Sequence, residues 1–325
     1  MTFPLSAYIV SVLSAGLITL LMLPLWRAWC LRVNLVDDPG HRKIHDRPVA
    51  LAGGLAILTG LLVPLLGAFA ALKLNLLGVE ATDKLGYGFE RRFGQLAAMI
   101  GGAIGMTLLG WLDDKHELRP ALKFAGQLLI AAAVAAAGIR ITLFVSSPLF
   151  SYTITILWVL TVTNAFNFMD NMNGLCAGLA AIAALLIGVI AARHGHYLVA
   201  ALAFLVFGAA LGFLPCNFPR ASAFLGDAGS HLLGYLLAVL TILPHFYSDK
   251  HPRTLAVLSP LFILAVPLTD LLWVVLLRWR MGRPFYIGDT NHLSHRLVRL
   301  GLSQRQAVAV IWALAAAVGS LVFAL

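Results

Sequence analysis

Asn164-Ala-Phe-Asn-Phe-Met-Asp-Asn-Met-Asn-Gly174 sets four Asn and one Asp between two long apolar runs, 153–168 and 175–192. In a soluble chain this would be an ordinary turn. Here the flanking runs approach the length that crosses a bilayer, so the amides and the carboxylate stand at a membrane boundary. At such a boundary a polar cluster either ends one helix and starts the next or holds a ligand.

The rest of the chain agrees that the solvent is lipid. Of 325 residues, 60% are hydrophobic and only 11% are charged, far from the makeup of a soluble domain. A membrane-crossing helix needs roughly 20 mainly apolar residues. Ten runs qualify or come close: 5–25, 49–72, 95–112, 122–137, 153–168, 175–192, 198–214, 232–243, 255–277 and 307–325. The fourth and eighth are short. The expected fold is an all-α polytopic membrane protein of about ten transmembrane helices, a single integral-membrane domain over 1–325 without internal repeats or linkers. The first run lacks a basic leader and a small-residue cleavage pattern, so it reads as a retained helix. Cys30, Cys176 and Cys216 cannot all pair and fall near the same end of their helices, which argues for a reducing side there.

Lys and Arg decide the orientation, because cytoplasmic loops carry their excess. Of the 23, 15 fall in the connections that follow odd-numbered runs and 8 in those that follow even-numbered runs. The odd-to-even loops are therefore expected in the cytoplasm and both termini outside, in a multi-pass protein of the plasma (inner) membrane. The net charge of +9 suits anionic lipid or a phosphorylated ligand. Nucleic acid is not an expected partner, since the basic residues are dispersed among spans and not gathered with aromatics on a soluble face.

Every unusual polar cluster lies in an odd-to-even connection. The first holds Arg42, Lys43 and His45, which could bind phosphates, followed by Gly53-Gly54, which would permit close backbone approach; its plainer reading is a basic loop. Asp113-Asp114 follows an apolar run directly. Adjacent carboxylates at that boundary repel each other, and either hold a cation, keep one proton acceptor, or cap the helix. In the opening stretch Asn164, Asn167 and Asn171 share a helix face if the helix continues; Asp170 and Asn173 then point elsewhere, unless it unwinds near Gly174. Asn oxygens and a carboxylate suit a hard divalent ion. Asp227, in Gly226-Asp227-Ala228-Gly229-Ser230, could be an ion ligand or an N-cap. His292, His295 and Arg296 could clamp a pyrophosphate, and the neighbouring arginines without Cys disfavour zinc. Asp270, inside the ninth run, needs a partner that the sequence does not name.

Acids, amides, imidazoles and cations on one membrane face match the needs of phosphoryl transfer: charge neutralisation, oxygen clamps and an oriented acceptor. Together these motifs resemble the polyprenyl-phosphate N-acetylhexosamine-1-phosphate transferases, the family that includes WecA, TagO and MraY, and are nearest the WecA/TagO branch. The resemblance spans nearly the whole chain. It rests on Arg42-Lys43-x-His45 with Gly53-Gly54, Asp113-Asp114, Asn164-x-x-Asn167-x-x-Asp170, Gly226-Asp227-x-Gly229-Ser230 and the segment from His292 to Leu297. It implies magnesium-dependent transfer, with manganese an acceptable substitute, of a sugar 1-phosphate from a UDP-N-acetylhexosamine to undecaprenyl phosphate. UMP would be released, in the initiating step of a cell-envelope glycan.

By position, the resemblance makes Asn167 and Asp227 the metal ligands. Asp113 and Asp114 would lie at the lipid phosphate and count with Asp170 as catalytic groups. Lys123 would bind phosphate, Asp170 and Asn173 would meet the nucleotide, and His292, His295 and Arg296 would hold the diphosphate. Lys43, His45 and Asn164 complete the expected substrate-binding set. The partners implied are the sugar nucleotide, the polyprenyl phosphate and the bilayer, with room for a homodimer. The chain departs from the family at two places. Asp170-Asn171-Met172-Asn173-Gly174 stands where Asp-Gly-x-Asp-Gly is usual, and His292-Leu293-Ser294-His295 stands where His-x-His-His is usual. Two rivals remain at this point: a secondary transporter, whose site would sit on interrupted helices near the bilayer midplane, and a lipid-carrier binding protein without transferase activity.

Overall fold

The computed structural model describes residues 2–37, 48–143, 145–244, 254–284, 286 and 289–324. In chain order these form α1 (Leu5–Arg32), a two-stranded antiparallel hairpin of β1 (Val36–Asp37) and β2 (Val49–Ala50), α2 (Gly53–Lys73), α3 (Val79–Arg91), α4 (Phe93–His116), α5 (Pro120–Ala136), α6 (Pro148–Met169), α7 (Leu175–Arg193), α8 (Tyr197–Asn217) and α9 (Gly226–Ile242). They continue with α10 (Ser259–Ile263), α11 (Ala265–Arg280), α12 (Leu293–Arg299) and α13 (Gln304–Ser320).

Seven helices among the described residues are long and apolar enough to cross a membrane: α1, α2, α4, α6, α7, α8, and α13 with the 3-10 turn that follows it. An eighth span exists if the segments Ala256–Ile263 and Ala265–Arg280 count as one, although they meet at a 67° bend. The sequence reads this region as one continuous run. Pro267 favours the break: without an N–H it cannot bond the carbonyl of Ile263, four residues back, and the ladder is weakest at Leu264. The other two expected spans, α5 and α9, are 17-residue helices, short of the usual crossing length.

Burial divides the helices by role. α1 exposes Leu13, Leu17, Leu21 and Leu25 along its length, a surface that only lipid tails would cover favourably. α9 is the reverse, buried from Ala228 to Thr241 on every side, and it packs against α2, α4, α6, α7 and α8. A helix apolar all round belongs in the interior. The N-terminus of α9 therefore lies where several helix ends meet.

Two elements differ from the sequence reading. Residues 49–52 do not start α2. Val49 and Ala50 pair with Asp37 and Val36, and Ala50 also bridges to Ala223. In the 73–94 connection, α3 forms a helix with no buried residue, held by Lys84 over the rings of Phe3 in the N-terminal segment and Tyr197 at the start of α8. Its apolar positions are too diluted by charge to register as a run. All three cysteines are free thiols.

Candidate active site

The site starts from one cap. The first N–H groups of a helix have no partner inside it, and at α9 two of them find Asp114. Its carboxylate accepts from Asp227 N at 2.8 Å and Ala228 N at 3.1 Å. Close contact of α4 and α9 makes this reach possible: a Cβ at Gly110, one turn before Asp114, would overlap the Asp227 carbonyl. The paired glycines of α2 serve the same junction. Gly53 N and Gly54 N donate to Phe224 O and Leu225 O at 2.9 and 3.1 Å, and a Cβ at Gly54 would strike the Ala228–Gly229 backbone. The close approach these glycines permit is therefore that of another helix.

Asp113 turns the other way. Its carboxylate accepts from Leu118 N at 2.8 Å and pairs with Lys123 Nζ at 2.7 Å. The left-handed backbone of Glu117 at the end of α4 swings α5 back so that Lys123 arrives there. The same ammonium is ion-paired with Asp227. Asn167 completes the cluster, donating from Nδ2 to Asp227 Oδ1 at 2.7 Å and to Ser230 Oγ at 3.0 Å.

The opening stretch resolves into helix and loop. α6 stops at Met169, and Asn171 Nδ2 donates to Phe168 O at 2.7 Å, filling one of the carbonyls left open at the helix end. Asn171 thus leaves the helix face it was expected to share, and the alternative of unwinding before Gly174 holds. Asp170 caps α6 in the same junction. Burial, then the charges of Asp227 and Asp114, push its carboxyl well above the usual carboxylate range, opposed by a hydrogen bond from the Gly226 N–H. Asn164 faces away, donating to Gln127 Oε1 and to Leu160 O, both at 2.8 Å. It is not among the residues that line the cavity.

That cavity, of about 810 Å³, is lined by Asp113, Asp114, Asp170, Asn171, Asn173, Asp227 and His295, with Glu117, Asn217, Thr290 and Gln304. A neighbouring cavity of about 580 Å³ shares Met172, Asn173, Phe224 and Gln304 and adds Arg220 and Arg305. Asn217 was not foreseen, though an Asn at the end of an apolar run is a legible signal. It accepts from Gly174 N at 2.6 Å and donates to Ala223 O at 3.0 Å, tying the loop after α6 to the approach of α9.

The histidine segment divides between wall and support. Asp270 has the partner the sequence could not name: its Oδ2 lies 2.7 Å from His292 Nδ1, while its Oδ1 accepts from Leu293 N at 2.7 Å. His292 is buried and does not line the cavity; His295 does. Burial, then the neighbouring His292 and Arg299, hold the His295 imidazole below its ordinary value. Arg296 stacks over Trp273 at 4.7 Å and is also not a lining residue. Asp289 accepts from Arg278 Nε at 2.8 Å and from Asn291 N at 2.7 Å; burial alone would raise its carboxyl, but these contacts hold it below the usual range. Lys43 and His45 lie outside the described residues.

Ser294 Oγ donates to Asn171 Oδ1 at 2.6 Å. The two places where the sequence departs from the pattern it resembles therefore touch each other.

Among the described residues no three His, Cys, Asp or Glu side chains form a ready metal cluster. The donor chemistry at Asp227 nevertheless fits a hard divalent cation. A carboxylate and an amide, with a second carboxylate beyond Lys123, leave room for the waters and phosphate oxygens such an ion retains. An ammonium already bridges the two carboxylates, so positive charge is favoured there.

A polytopic membrane protein whose acids, amides and a lysine converge at helix ends on a polar cavity is the class that this fold and site define. The family model of glycosyl transferase family 4 matches residues 96–245. A probable undecaprenyl-phosphate N-acetylglucosaminyl 1-phosphate transferase of Bacillus subtilis is 33% identical over 315 residues, covering 94% of this chain and 80% of the relative. A decaprenyl-phosphate N-acetylglucosaminephosphotransferase of Mycobacterium tuberculosis is 32% identical over 92% of this chain and 78% of its own. An undecaprenyl-phosphate alpha-N-acetylglucosaminyl 1-phosphate transferase of Escherichia coli is 27% identical over 95% and 81%. The chain belongs to this family, the polyprenyl-phosphate N-acetylhexosamine-1-phosphate transferases.

Proposed function

We propose that this chain transfers a sugar 1-phosphate from a UDP-N-acetylhexosamine to undecaprenyl phosphate, with UDP-N-acetylglucosamine the first donor to test on the strength of its relatives' names. The observation that carries the chemistry is the Lys123 ammonium joined to both Asp113 and Asp227, two acids in the wall of the large cavity, with Asn167 on the same Asp227 carboxylate. An oxygen of the lipid phosphate attacks the phosphorus that bears the sugar. The bond between that phosphorus and the bridging oxygen breaks, and the oxygen leaves on UMP. The products are a lipid diphosphate sugar and UMP, and no proton need be removed from an acceptor already ionised near neutral pH.

Asp227 and Asn167 would hold Mg²⁺, which when bound supplies Lewis-acid charge neutralisation at the diphosphate. Asn167 can serve by turning its amide so that oxygen replaces nitrogen. Lys123 offers positive charge to the phosphate oxygens. Asp114 keeps the Asp227 backbone fixed through its cap, which makes it a support more than a reactant, and Asp113 aligns Lys123. His295, held neutral by its surroundings, can donate to a phosphate oxygen, while Asn173 and Asn217 supply amides for a nucleotide. Arg220 and Arg305 in the adjoining cavity suit an anionic donor.

The polar groups stand at helix ends: the last turn of α4, the end of α6 and the first turn of α9. This supports a site at the membrane boundary, which we assign to the cytoplasmic face of the plasma (inner) membrane. The same assignment takes α5, α9 and the bent pair as spans, giving ten in one domain with both termini outside. The test is direct. Purified protein is mixed with Mg²⁺, undecaprenyl phosphate and a panel of UDP-N-acetylhexosamines, and UMP is measured; folded protein that releases none from any donor overturns the reading.

A further inference from the structure

We infer that the Asn171–Ser294 hydrogen bond is a latch that sets the donor half of the site, making these two positioning residues for the sugar nucleotide and not for the lipid acceptor. The inference rests on the transferase reading above. Its basis is where the bond falls. Asn171 sits on the cavity wall in the loop after α6, between Asp170 and Asn173. Ser294 is fully buried on α12, between His292 and His295. Two walls from distant parts of the chain are thus joined by one side-chain bond.

Both partners are committed. Asn171 uses Nδ2 on Phe168 O, which leaves Oδ1 to accept from Ser294. The bond closes an arc that already has an anchor on its far side, where Asp270 holds His292 and the Leu293 N–H. Asp270 fixes the start of α12 to α11, and Ser294 fixes the next residue but one to the loop after α6. His295, one position on, is the member of the segment that reaches the cavity. A short helix of seven residues has little stability of its own, so its placement depends on such ties. Asp113, expected at the lipid phosphate, and its partner Lys123 make no hydrogen bond or ion pair with Asn171 or Ser294, which is why the acceptor side should be insensitive to the latch.

Ser294→Ala and Asn171→Ala test the latch, alone and combined. Each single change is expected to raise the KM for the UDP-sugar roughly tenfold, the order of a lost buried hydrogen bond with one partner stranded. The KM for undecaprenyl phosphate should stay within about twofold, a margin well below the effect of one such bond. The double variant should be no worse than the poorer single, because both remove the same bond. Hydrogen exchange across residues 292–299 gives a readout independent of turnover: in Ser294→Ala these amides should exchange faster. Ser294→Cys, which keeps a weak donor at similar size, covers the case in which the alanine variant does not fold. Unchanged donor KM in both singles, multiplying effects in the double, or equal shifts in both KM values would overturn the latch. If wild-type protein releases no UMP, the transferase reading fails, and unaltered exchange at 292–299 would then count against the latch separately.

Discussion

The carboxylate of Asp114 accepts the backbone N–H of Asp227, 2.8 Å away, so the acid at the end of α4 holds in place the acid at the start of α9. A second bond to Ala228 N at 3.1 Å makes this a two-point cap. Asp114→Asn keeps one acceptor oxygen and strands one N–H. It should lower stability by about 1 kcal/mol, the usual worth of a cap, and reduce UMP release through a displaced Asp227. Melting in detergent and turnover, measured on the same preparation, check both; full activity with normal melting would mean that the cap does not position the site.

Lys123 keeps Asp113 and Asp227 from facing each other as bare like charges. Lys123→Met removes the charge at similar length. The loss should fall mainly on turnover, by about 10²- to 10³-fold if the ammonium meets charge that develops at the transferring phosphate. Lys123→Arg should recover little, because a planar fork does not fit where a point charge bridges two carboxylates. Steady-state kinetics of UMP release separates these variants, and an arginine variant near wild-type speed would refute the bridging role.

Gly110 carries no reactive group, yet a Cβ there would overlap the Asp227 carbonyl. Gly110→Ala should therefore push α4 from α9, destabilising the protein by about 1–3 kcal/mol as overpacking does. Activity should fall more than at a glycine such as Gly101, whose Cβ would meet nothing. Comparing melting and turnover of Gly110→Ala and Gly101→Ala decides the point; equal behaviour would remove close packing as the reason the two acids meet.

His295 lines the cavity with its imidazole below the ordinary value. The folded state then resists a proton that the unfolded chain accepts near pH 6.5. Its contribution to stability is present above that value and is lost as pH falls from about 6.5 through the folded value. Melting of wild type should decline across that range, and His295→Gln should decline less. A steeper decline in the glutamine variant would show that protonation of His295 favours the fold.

Much of the site was legible because polar residues at a membrane boundary are rare and costly, which singled out Asp113, Asp114, Asp170 and Asp227. Their pairing was not. That Asp114 caps α9 while Asp113 holds Lys123 depends on backbone direction at the helix ends, and no spacing records it. Asn164 matched the helix face of Asn167 but sits one turn deeper, where Gln127 takes it up. The Asp270–His292 contact joins residues on either side of a basic loop, so neither announced the other. Local pattern also failed where segments compensate one another: Val49 and Ala50 look like the start of a long apolar helix until Val36 and Asp37 offer a ladder.

Removal of metal separates the roles of Asp227 and Lys123. The proposal makes activity depend on a hard divalent ion, so EDTA should abolish UMP release and Mg²⁺ should restore it, with Mn²⁺ able to substitute. Asp227→Asn keeps an oxygen and the size of the side chain but loses the charge that attracts the ion. Its turnover at low Mg²⁺ should fall far below wild type and recover in part as Mg²⁺ rises, because a weaker ligand is saturated at higher concentration. Lys123→Met should show no such recovery, since it leaves the Asp227 carboxylate intact and relieved of its ion pair, so binding of the ion is not what this variant loses. If both variants respond to Mg²⁺ alike, the division of labour between the carboxylate and the ammonium is wrong, and activity unaffected by EDTA would remove the ion from the reaction altogether.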